Sequence, residues 1–128
     1  MSYRVIFPGP RTMTDSLRDL AQQQLKFAQE REWEQFHSPK NLASALIVET
    51  GELLEHFQWM TEAESRNLAP EKLDAVGAEI ADVLLYLVQL SNVLGIDPIK
   101  AAQAKIKLNA QKYPVERAKG SNKKYDQL

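Results

Sequence analysis

The sequence contains no cysteine. That excludes disulfides and any thiolate metal site, and it fits a reducing, cytoplasmic setting. Histidine is scarce, with only His37 and His56. No sign of charge is in excess: 16 Lys and Arg face 17 Asp and Glu, a formal net charge of −1. Such a balance supplies no global field to draw the chain to a nucleic-acid polymer or an anionic membrane. Long apolar runs are absent too. The longest, Val83 to Val88, falls far short of the ~20 residues that span a bilayer. The first twenty residues carry Arg4, Pro8, Pro10 and Arg11 without an apolar core, unlike a signal peptide. The expectation is a cytoplasmic protein with neither nucleic-acid polymer nor membrane as a partner.

What is present is helical periodicity. At 128 residues, 44% of them hydrophobic, the chain is sized for one small domain with a core. Residues 1–13 read as an irregular leader, in which "VIF" has strand character that Pro8-Gly9-Pro10 ends. From Thr14, Leu17, Leu20, Ala21, Gln24, Phe27, Ala28 and Arg31 follow the i, i+3, i+4, i+7 repeat. A first helix is predicted to about Trp33, with Thr14 or Asp15 as its cap. Ser38-Pro39 opens a second, to about Trp59. Thr61 and Glu64 have the form of a capping box around a short turn. A third helix is predicted from Pro70 to Leu94, stopped by Gly95, and a fourth from Asp97-Pro98 to Lys112. Residues 115–128 read as a polar, flexible tail. The expected fold is an all-α four-helix bundle occupying residues 14–114.

The informative feature is where the carboxylates fall. At about 100° per residue, Glu49 and Glu52 lie side by side on one edge of the second helix's apolar face, and Glu55 points away from it. "EIADVLLYLVQL", residues 79–90, is apolar nearly all round, the pattern of a buried helix. Its polar members, Glu79, Asp82, Tyr86 and Gln89, share one stripe roughly 80° wide. A buried ionised carboxylate is costly unless it is paired or bound to metal. Two helices that each present two acids at i, i+3 can share a divalent cation. An all-oxygen set without Cys or His selects Mg²⁺ or Mn²⁺ over Zn²⁺, and Mg²⁺ commonly joins a substrate phosphate. The competing readings are a solvated Glu-x-x-Glu edge and a di-iron bundle. The latter normally uses Glu-x-x-His motifs, and His37 and His56 are misplaced for them.

Glu49-x-x-Glu52, twenty-six intervening residues and then Glu79-x-x-Asp82 resemble the all-α nucleoside triphosphate pyrophosphohydrolases of the MazG-like superfamily. The segments "EREWEQFHSPKNLASALIVETGELLEHFQW", "EIADVLLYLVQL" and "KIKLNAQKYP" are similar to its dCTP pyrophosphatase branch, over about residues 14–114. The resemblance implies hydrolysis between the α and β phosphates. It casts Glu49, Glu52, Glu79 and Asp82 as catalytic residues that hold Mg²⁺. It sets Trp33, His37 and Trp59 against the base, Tyr86 near the sugar, and Lys105 and Asn109 on phosphate oxygens. Lys112 joins these two at i, i+4, i+7 on one helix face. The family assembles as homodimers or homotetramers, and the same is expected here. Two positions depart from the pattern. Val48 stands where the MazG proteins proper have the first of a double glutamate, and Gln24 where the dCTP branch often has histidine. The second leaves the base open. dCTP, a modified pyrimidine nucleotide, dUTP and phosphoribosyl-ATP all remain as substrates, and a non-catalytic helical interaction module remains as the alternative of another class.

Overall fold

The computed structural model describes residues 16–128. The expectations for the leader, and Thr14 or Asp15 as a cap, lie outside those residues. The described chain is helical, without strands. Its elements are α1 (Leu17–Glu30), a 3-10 turn (Trp33–Phe36), α2 (Pro39–Glu55), α3 (Glu62–Ser65), α4 (Pro70–Leu94), α5 (Pro98–Lys112), α6 (Val115–Ala118) and a last 3-10 turn (Tyr125–Gln127). They divide into two compact units, Met1–Leu94 and Gly95–Leu128.

In the first unit the helix starts follow capping chemistry. Ser16 caps α1, its side chain accepting from Asp19 N. Ser38 caps α2 by accepting from Asn41 N, with Pro39 in the first turn. Thr61 does the same for α3 through Glu64 N. Two helices stop short of the periodicity. α1 ends at Glu30 because Glu32 turns left-handed, at φ 53°, a conformation that cannot continue an α-helix. The chain then tightens into the 3-10 turn holding Trp33. α2 ends at Glu55. His56 caps it, and residues 56–59 form turns. α4 runs on to Leu94, where Gly95 takes the left-handed conformation at φ 67° that helix stops favour.

α4 packs along α2 and, over a shorter length, against α1. Ala28, Leu42, Val76 and Val88 are the buried apolar residues at this junction, a thin core. The all-round apolar pattern of 79–90 suggested burial on every side. The structure corrects this: Ile80 is 52% and Leu87 43% exposed. Two neighbouring helices cover only part of a helix surface, so α4 leaves an apolar strip open. α2 does likewise with Ile47, Val48 and Leu54.

The second unit is built on α5, which Asp97 caps by accepting from Ile99 N and Lys100 N at 3.0 and 3.1 Å. Tyr113 and Tyr125 meet edge to face, with centroids 6.3 Å apart. No single helix among the described residues is long and apolar enough to cross a membrane.

Candidate active site: an acidic cluster beside an aromatic cavity

The two i, i+3 carboxylate pairs project from facing stretches of α2 and α4. Carboxylate oxygens of Glu49, Glu79 and Asp82 lie within 4.8 Å of one another. Glu52 faces the same cluster, near enough to hydrogen-bond with both Glu49 and Glu79. Glu55 is exposed, as its place on the helix wheel indicates. His56, at the end of α2, brings Nε2 to 3.9 Å from Glu79 Oε1.

Such crowding has an electrostatic consequence. Burial, the hydrogen bond and charge of Glu52, and the charges of Asp82 and Glu79 all raise the Glu49 carboxyl above its ordinary value. Glu79 is raised by burial first, then by Glu52 and Asp82, against a smaller opposing effect of His56. Glu49 Oε2 and Glu79 Oε2 are both buried without a hydrogen-bond partner. Native interiors rarely leave such atoms orphaned, and when they do an ion or ligand is a common reason. A hard divalent cation fits this donor set. It would occupy the orphaned oxygens, and the ligands are carboxylates alone.

Beside the cluster opens a cavity of about 280 Å³. Trp33, His37 and Tyr86 line it together with Gln24 and Gln89, and Asp82 belongs both to its wall and to the acidic cluster. The 3-10 turn after α1 delivers the aromatic side. Trp33 meets Phe27 edge to face at 5.6 Å and His37 at 6.4 Å. Arg31 lies over the other ring of this group, its guanidinium 3.6 Å from the Phe27 centroid.

At the inner end lies Gln89, with no exposed surface. Gln89 Nε2 is 3.2 Å from His37 Nδ1. Asn92 Nδ2 donates to Gln89 Oε1 at 3.2 Å and to the Ala21 carbonyl at 3.1 Å, tying α4 to α1. The periodicity placed Gln89 on the acidic stripe without a role. Its signal was a lone amide inside "YLVQLS".

Trp59 is the one proposed base contact of this unit outside the cavity wall: it is 89% exposed in the turn after α2. Lys105, Asn109 and Lys112 lie on α5 in the second unit. There the Lys112 ammonium sits 4.9 Å from the Tyr125 ring centroid, in a cation–π contact.

Comparisons with known proteins give the family. The MazG-like family matches residues 44–128. dCTP pyrophosphatase 1 of Rattus norvegicus is 44% identical over 115 residues, covering 88% of this chain and 68% of the relative. The protein of the same name from Homo sapiens is 41% identical over the same shares. Among solved structures, a pyrophosphatase from Archaeoglobus fulgidus aligns at a TM-score of 0.68 with 36% identity, covering 83% of this chain and 99% of that one. The chain belongs to the MazG-like family, the all-α nucleoside triphosphate pyrophosphohydrolases.

Proposed function

We propose that this enzyme hydrolyses a pyrimidine deoxynucleoside triphosphate, dCTP or a modified relative, to the monophosphate and pyrophosphate. The observation that carries the reading is the position of Asp82, shared between an acidic cluster suited to a cation and a cavity with aromatic walls. A nucleotide has the same division, with a flat base at one end and a polyanion at the other. The relatives named dCTP pyrophosphatase 1 supply the choice of dCTP.

Glu49, Glu52, Glu79 and Asp82 hold the metal in this reading, Mg²⁺ with Mn²⁺ as a substitute. An ion held there would supply charge neutralisation for the triphosphate and Lewis-acid activation of a water. The residues of the chain do the rest. Trp33 gives the base a ring to pack on and Tyr86 faces the sugar. The family resemblance gives Lys105 and Asn109, on α5 of the second unit, the role of donors to phosphate oxygens. Water adds to a phosphorus of the α–β anhydride, the bridging P–O bond breaks, and a carboxylate accepts the water's proton. The biological role is removal of unwanted nucleotides from the pool.

The active form is a homodimer or homotetramer. An apolar groove of about 550 Å³ along α2, lined by Ile47, Leu53, Leu54 and Phe57, supports this assembly, as does the exposed strip on α4.

The test is pyrophosphate release from a panel containing dCTP, dUTP, the other dNTPs and NTPs, and phosphoribosyl-ATP, with and without Mg²⁺. Metal-dependent release led by dCTP is expected. Release led by another nucleotide would replace the substrate, and none from any would leave the interaction module.

A further inference from the structure

A hydrogen-bond chain whose direction is set by the backbone ends at Gln89 and His37 on the cavity wall. It starts at the Ala21 carbonyl, which can only accept. The Asn92 group 3.1 Å from it is therefore the NH₂. That same nitrogen lies 3.2 Å from the Gln89 side chain, so the Gln89 atom facing it is the oxygen. This leaves the Gln89 NH₂ facing His37 Nδ1 at 3.2 Å. An amide NH₂ has no lone pair to offer, so Nδ1 must accept and the single proton of the neutral ring sits on Nε2. Amide orientation is ordinarily assigned from a network; here the network ends on a main-chain carbonyl, which removes the ambiguity. Gln89 is fully buried, so water does not compete for its groups.

We propose that Gln89 is a positioning residue that fixes His37 as the Nε2–H tautomer, so that the cavity offers an N–H donor to an acceptor on the nucleobase. The inference rests on the cavity being the base site. Cytosine suits a donor, since its N3 and O2 are both acceptors. Uracil and thymine carry N3–H, which opposes a donor at that position. Gln24 lines the same cavity and carries no imidazole. His37 is the imidazole that lines this cavity, with its tautomer chosen from α4.

The first test is independent of catalysis. The chain has two histidines, so long-range ¹H–¹⁵N NMR of the imidazoles, with His56→Gln for assignment, reads His37 directly. The ligand-free wild type is expected to show a bare Nδ1 and a protonated Nε2. Gln89→Glu places an acceptor against Nδ1 and should move a proton onto it. Asn92→Leu releases the Gln89 amide to rotate and should populate both tautomers, a second route should Gln89→Glu not fold. A wild-type His37 protonated on Nδ1, or a tautomer that neither variant changes, would overturn the proposal even if the enzyme hydrolyses dCTP.

The second test is specificity. The ratio of kcat/KM for dCTP over dUTP should fall about tenfold or more in Gln89→Glu, chiefly through KM, because a donor site left facing the wrong partner discriminates strongly. A reversed tautomer with an unchanged ratio would overturn the assignment of His37 to base recognition. Absence of hydrolysis in the wild type would fail the proposed function and leave the tautomer result standing.

Discussion

Glu49 on α2 and Glu79 on α4 bring carboxylate oxygens within 4.8 Å of each other, and each buries its Oε2 without a hydrogen-bond partner. Without a cation the two acids oppose each other and the fold. The same opposition makes the site receptive to a divalent ion. Function and stability therefore pull in opposite directions at this point.

Neutralising one acid should expose that conflict. Glu49→Gln and Asp82→Asn are expected to lower pyrophosphate release by about a hundredfold or more, the scale of losing one preorganised electrostatic group. In metal-free buffer Glu49→Gln should melt higher than the wild type, by on the order of 3–5 °C for a domain of this size. Calorimetry beside the activity assay checks both. A Glu49→Gln protein that melts lower without metal would contradict the repulsion argument.

The pH dependence follows from the direction of the two raised carboxyls. Both hold a proton more tightly in the folded chain than at their ordinary value of 4.5. Their contribution to stability is therefore full below 4.5 and is lost as pH rises through the raised folded values. Metal-free protein should lose melting temperature over that window. Metal binds the deprotonated form, so stabilisation by millimolar Mg²⁺ should grow as pH rises. Melting curves across pH 4–8 with Mg²⁺ or a chelator read the two trends, which should run in opposite directions.

The open apolar surfaces give a third expectation. Light scattering should return a mass about two or four times the 14.5 kDa of one chain. Ile47→Glu with Leu54→Lys places charge in the α2 groove, where Ile47 is 69% and Leu54 61% exposed in the single chain. The double variant should shift toward monomer and lose activity with it. A wild type that is monomeric at high concentration would remove the assembly from the proposal.

On α5 the three polar residues should divide. Lys105→Met and Asn109→Ala are expected to raise KM about tenfold to a hundredfold, the value of a hydrogen bond to a charged group. Lys112→Met should change it by less than about threefold, since the Lys112 ammonium already rests on the Tyr125 ring. Steady-state kinetics of the three variants decides this. Equal losses at all three would restore Lys112 to the phosphate face.

Much of this was legible in the chain because it is local. The i, i+3 spacing of Glu49 with Glu52 and of Glu79 with Asp82 survives in any helix that contains them. Ser38, Pro39 and Gly95 mark helix ends by their own conformational preferences. Where the periodicity overran, at Trp33 and Trp59, it continued an apolar rhythm through residues that had left the helix. Glu32 at φ 53° has no signature in the pattern, because a single left-handed glutamate is enforced by the surrounding structure. The exposure of Trp59 and Ile80 was hidden for a related reason: periodicity states which residues prefer burial and says nothing of how many neighbours are there to bury them.

The sequence by itself determined an all-α chain, two pairs of acids on two helices and an aromatic segment between the first two helices. These follow from backbone periodicity and side-chain chemistry, which each stretch carries alone. Only the tertiary structure decided that the pairs converge, that Asp82 joins them to the cavity, and that Gln89 meets His37 rather than remaining one more polar residue on a stripe. Those are relations between side chains far apart in sequence. They arise when α4 is laid against α1 and α2, because close packing fixes distances and hydrogen-bond direction together.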